Sequence, residues 1–143
     1  MSGERELVDA IAACLCLPYD GPHSADTVTD AAHRLAVLVR YLNNATGPGH
    51  GRTTLAWAAT VHRVLADLAA AVHGLDQLLT QLAAAITRHT TDPGLYDDRP
   101  DRPATDTAHA LAAQLTELRH TAGDLARGID QARELSAHLG NND

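Results

Sequence analysis

Residues 53–90, TTLAWAATVHRVLADLAAAVHGLDQLLTQLAAAITRHT, form one continuous helical pattern, and a chain carrying such a stretch has few ways to fold. Apolar residues recur at Trp57, Val61, Val64, Leu68, Val72, Leu75, Leu79, Leu82 and Ile86. Steps of four and three place them on one side of an α-helix. One stutter interrupts the heptad between Leu68 and Val72, where the seam is expected to change the direction it faces. The polar stripe is thin (Arg63, Asp67, Gly74, Gln77, Gln81 and Arg88), so this helix requires more than one neighbour.

A second long pattern supplies one of those neighbours. Residues 105–139 repeat apolar positions at Ala108, Leu111, Leu115, Leu118, Ala122, Leu125, Ile129, Ala132, Ser136 and Leu139 without a break. Thr105 or Asp106 is the expected cap, and Gly140 the stop. Between the two helices lies a loop over 92–104, DPGLYDDRPDRPA, rich in Pro and charge. Two helices of matching length joined by a loop fold back as an antiparallel hairpin. A medium helix is expected over about 24–43, capped by Ser24 or Asp26, with Val28, Ala31, Leu35, Leu38 and Leu42 on one face. A short helix over about 4–16 precedes it and ends at Pro18. The expected fold is a single all-α domain over 1–143, an up-and-down four-helix bundle. Its short first and medium second helices cover the apolar arc of the third.

Composition agrees with that class. Hydrophobic residues make up 45% of the chain, yet there is no Phe, one Trp and three Tyr, so Ala and Leu carry the apolar load. Every basic residue is Arg, a usage typical of a GC-rich bacterial genome. The formal charge of −7 with scattered Arg disfavours nucleic acid, and no basic run suits a membrane surface. The acidic opening MSGERELVDA is unlike a signal peptide, which makes the cytoplasm the expected location. Cys14 and Cys16, two apart, are poorly placed to bridge each other. Their apolar neighbours Ile11 and Leu15 suggest a reduced, enclosed thiol.

Chemistry is sparse. Gly47–Thr53 (GPGHGRT) departs from a phosphate loop at Thr46 and Arg52 and follows a helix instead of a strand. Asn44-Ala45-Thr46 fits the glycosylation pattern, which has no meaning without export. Trp57-Ala58-Ala59 lacks the Gly found at the turn of secreted WxG-type hairpins, so the chain is not placed with them. The chain has nine histidines, and on the expected helices three of them stand in carboxylate-x-x-His spacing: Asp30/His33, Asp106/His109 and Glu117/His120. Such pairs line the inner face of di-metal bundles, but heptad assignment puts all six outside the seam here. A surface or interfacial zinc site remains as the alternative. It would use His73 near the level of His120, and His89 near His109, or else Cys14, Cys16 and His23.

No nucleophile motif is present, so no enzymatic activity and no cofactor are expected. The expectation is a non-enzymatic interaction protein, an adaptor, regulator or assembly subunit, that binds a protein partner or itself as a coiled-coil-like homodimer. Its core or interface anchors would be Trp57, Leu68, Leu75, Leu79, Leu115, Leu118 and Leu125.

Overall fold

The structure, a computed structural model, describes residues 20–99 and 101–141 together with Cys14 and Leu17. All regular structure among the described residues is helical: α1 (Ala25–Thr46), α2 (Gly51–Thr54), α3 (Ala58–His89) and α4 (Ala104–Ser136). The all-α bundle class expected from the seams is what forms. The chain divides into two compact units, Met1–Thr54 and Leu55–Asp143, each taken by itself below. The expected first helix, 4–16, lies outside the described residues except for Cys14. That thiol is exposed, in place of the enclosed one expected.

In the first unit, Ser24 caps α1 through a reciprocal pair. The Thr27 N–H donates to Ser24 Oγ at 3.2 Å, and the Ser24 N–H donates to Thr27 Oγ1 at 2.8 Å. The helix runs three residues beyond its expected end at Asn43. Gly47 then closes it, its N–H reaching the Asn44 carbonyl. The stretch that resembled a phosphate loop folds as the single turn of α2, held to the end of α1 when Thr54 Oγ1 donates to the Ala45 carbonyl at 2.7 Å. A Cβ at Gly51 would sit 2.6 Å from the Thr46 carbonyl oxygen, so the sharp return depends on glycine there.

The hydroxyl of Thr54 is therefore committed to α1, and the long helix does not begin at residue 53. That helix starts at Ala58 instead, with Trp57 in extended conformation (φ −115°, ψ 135°) at its cap position. The boundary of the two units falls at this break, inside the stretch expected to be helical from 53. Trp57 offers no side-chain cap. Asn141 does, accepting the Ala58 N–H on Oδ1 at 2.8 Å from the far end of the chain. Asn141, beyond the expected stop at Gly140, thus contributes to the fold. The start of α4, by contrast, has no side-chain cap, with Pro103 preceding it in place of Thr105 or Asp106. Its end falls at Ser136, short of the expected Leu139.

The second unit is an antiparallel hairpin. His62 lies opposite Ser136, Asp76 opposite Arg119, and Ile86 near Ala108. The packed face of α3 runs through Ala58, His62, Leu65, Ala69, Val72, Asp76, Leu79, Ala83 and Ile86, an unbroken alternation of four and three. All but Asp76 are buried or half-buried. On α4 the matching face is Ala108, Ala112, Leu115, Arg119, Ala122, Ala126, Ile129, Arg133 and Ser136, every one buried or half-buried.

The most enclosed positions are small: Ala126 at 1%, Ala69 at 3%, Ala108 at 4%. Alanines at these positions keep side-chain bulk low where the helices meet, with Leu65, Leu79 and Leu115 half-buried beside them. This register corrects the expected seams. N-terminal to the stutter the real seam runs one residue later, through Leu65 and Ala69 where Val64 and Leu68 were expected. Tracing the largest side chains produced the stutter. On α4, Ala112, Arg119 and Ala126 replace Leu111, Leu118 and Leu125.

Candidate interaction surface

The displaced large side chains form a surface of their own. One residue before each packed position on α3 stand Trp57, Val61, Val64, Leu68, Ala71, Leu75, Leu78 and Leu82, a second heptad line with no ionisable group. The same offset on α4 gives Thr107, Leu111, Gln114, Leu118, Thr121, Leu125, Gly128, Ala132 and Leu135, again uncharged. In an antiparallel pair, positions with the same rotational offset fall on the same side. The two lines therefore share one face of the hairpin. Leu68, Leu82, Leu111 and Leu118 are each 42–45% exposed, and Leu125 reaches 55%.

The opposite offset is polar. It carries Arg63, His73, Gln77 and Thr80 on α3, and His109, His120, Arg127, Asp130 and Glu134 on α4. Here His73 Nε2 meets Asp130 Oδ2 at 2.7 Å. Along the seam itself, Arg119 Nε reaches Asp76 Oδ1 at 2.8 Å. Both pairs are solvent-accessible and add about 0–1 kcal/mol each, which makes them markers of register more than sources of stability.

At the loop end the uncharged face deepens into a cleft of about 430 Å³. Ile86, Leu95, Ala108 and Leu111 form its apolar floor, with Tyr96, Asp98 and Arg99 at the rim. Its wall is fixed by Asp97, whose side chain is only 4% exposed. The Asp97 carboxylate accepts from the Arg99 guanidinium (Nε at 2.9 Å and a terminal nitrogen at 2.7 Å), from Thr107 Oγ1, and from the Arg99 N–H at 3.0 Å. The Arg99 side chain first, then Thr107 and the Arg99 backbone, hold the Asp97 carboxyl well below the usual carboxylate range. Arg99 is shifted up in return by its bonds to Asp97. Its acceptor positions are taken by Arg99 in the loop and by Thr107 in the first turn of α4, so this carboxylate braces the loop against the helix.

Of the expected anchors, Leu75, Leu79 and Leu115 are half-buried at or beside the packed seam. Trp57, Leu68, Leu118 and Leu125 are exposed, because the next residue along the helix (Ala58, Ala69, Arg119 and Ala126) occupies the contact each was expected to fill. His73, His89, His109 and His120 are all exposed. His73 pairs with Asp130, which lies about three turns along α4 from His120. Among the described residues no group of three or more His, Cys, Asp or Glu converges as metal ligands would. One contact missed from sequence is His62 with Ser136, 2.9 Å apart in the seam; the position of His62 four residues after Ala58 was its only signal.

Comparison of the chain with protein-family models, curated proteins and solved structures gives no match. Among the described residues no helix is long and apolar enough to cross a membrane.

Proposed function

We propose that this chain is a non-enzymatic, cytoplasmic interaction protein, an adaptor, regulator or assembly subunit, that self-associates as a homodimer through the uncharged face of its hairpin. The observation that carries this reading is the division of apolar residues into two lines. Alanines make the most enclosed contacts between α3 and α4, with Leu65, Leu79, Leu115 and Ile129 half-buried beside them, while a second set of large residues stands outside, aligned and uncharged along the hairpin. Helix pairs need only one seam to hold together. A second seam of exposed Leu and Val, continuous over several turns, is the kind of apolar patch that marks a binding surface.

The test places a photo-crosslinking residue at Leu118 on the uncharged face, or at Thr80 on the polar face, in the cell that makes the protein. Crosslinks from Leu118 and not from Thr80 support the reading. Equal or absent crosslinking from both ends it. Light scattering of the purified chain at tens of micromolar then reads the homodimer directly, and a monomer mass removes the self-association.

A further inference from the structure

Resting on self-association, we infer that Trp57 of each copy fills the loop-end cleft of the other, with the two hairpins packed face to face and pointing in opposite directions. Trp57 is the single Trp of the chain and stands 55% exposed at the open end of the uncharged face. At the opposite end lies the cleft floored by Ile86, Leu95 and Leu111. Its volume falls in the range of about 300–1,000 Å³ that encloses a single small group.

Trp57 and Ile86 are roughly 43 Å apart along α3 at about 1.5 Å per residue. A two-fold axis perpendicular to the helices and passing near Val72, midway between them, carries each Trp57 to the level of the other copy's Ile86. One operation fills both clefts, as an isologous interface requires.

The size of the face fits this partner. Trp57, Val61, Leu68, Leu78 and Leu82 on one helix are 37–55% exposed, and the line on α4 is similarly open. With about 200 Å² for a fully exposed large apolar side chain, the face offers roughly 800 Å² per copy, the area of a standard stable interface. Trp is among the residues enriched at the energetic anchors of such contacts, which sit in well-packed pockets. No ionisable group of either copy is placed on the two lines, so the chain's net charge does not oppose the pairing at short range.

The unique Trp reports on its own burial. The emission of wild type, measured where light scattering gives a dimer, is compared with that of Leu118→Glu, designed as a monomer. The expected result is a blue-shifted dimer and a water-exposed monomer. Trp57→Ala should weaken dimerisation by about tenfold or more. Leu111→Glu, at the cleft floor, should weaken it too, with helicity by circular dichroism unchanged in both. A dimer whose Trp57 emission matches that of the monomer, and whose affinity ignores Trp57→Ala, overturns the cleft pairing and leaves self-association standing. A chain that is monomeric throughout overturns both.

Discussion

Ser136 Oγ accepts a hydrogen bond across the hairpin from His62 Nδ1 at 2.9 Å, and the direction of that bond is set by the serine. Ser136 donates its own hydrogen to the Arg133 carbonyl at 2.7 Å, which leaves its oxygen as the acceptor and places the histidine hydrogen on Nδ1. At 7% exposure Ser136 is the buried polar residue of the seam. Ser136→Ala keeps the volume small but strands the imidazole, so it should lower stability by about 1 kcal/mol in urea titration. No change would show that water already satisfies His62.

The alanine seam makes a sharper demand. Ala126 is 1% exposed and faces α3 directly, whereas Leu125 beside it is 55% exposed. Ala126→Leu should destabilise the hairpin by about 1–3 kcal/mol through overpacking, or drive the helices apart. Leu125→Ala should leave the unfolding midpoint of a monomeric Leu118→Glu background nearly unchanged. Reversal of that order would put the packed face on the wrong side of α4.

Asn141 reaches the start of α3 with a single accepted bond from the Ala58 N–H at 2.8 Å. Asn141→Ala should cost about 1 kcal/mol, the usual loss on removing a helix cap. Asn141→Asp retains the accepting oxygen and adds charge at a helix N-terminus, so it should restore the lost stability. The pair is compared by thermal melting, and a destabilised Asp variant would reject the cap.

Asp97 gives a pH signature. Its carboxyl titrates near 3.8 when unfolded and well below that when folded. A lowered folded pKa contributes stability that is present above the unfolded value and lost as pH falls through it toward the folded one. Asp97→Asn should therefore melt lower than wild type at neutral pH, with the gap closing between about pH 4 and pH 2. A gap that stays constant over this range would show that the charge of Asp97 is not what braces the loop.

The fold class, the long hairpin and the Pro-rich loop were legible because periodicity and turn residues act locally. The register was not. Leu68 and Ala69 are neighbours in sequence, and both lie on plausible heptad lines. Hydropathy ranks the Leu first, yet the helices pack through the Ala, since close axial approach rewards small side chains. The same preference misplaced Leu111, Leu118 and Leu125. Two other misses had a different cause. Thr54 and Asn141 each have the chemistry of a cap, and which helix each one serves depends on residues distant in the chain, the Ala45 carbonyl for Thr54 and Ala58 for Asn141. The cleft at Tyr96 was invisible for a related reason, because a loop reads as polar until its Leu95 is seen against Ile86.

The hairpin is closed most tightly by Ala69, Ala122 and Ala126, and a second line of large side chains takes no part in closing it. The contacts that fold the hairpin and the face it presents outward are thereby written in separate alphabets on the same two helices. Exchanging Leu118 for Ile, or Val61 for Met, alters what the outer surface fits while leaving the inner contact of Ala69, Ala122 and Ala126 untouched. Such a chain is free to acquire a new partner through a few outward substitutions without passing through an unfolded ancestor.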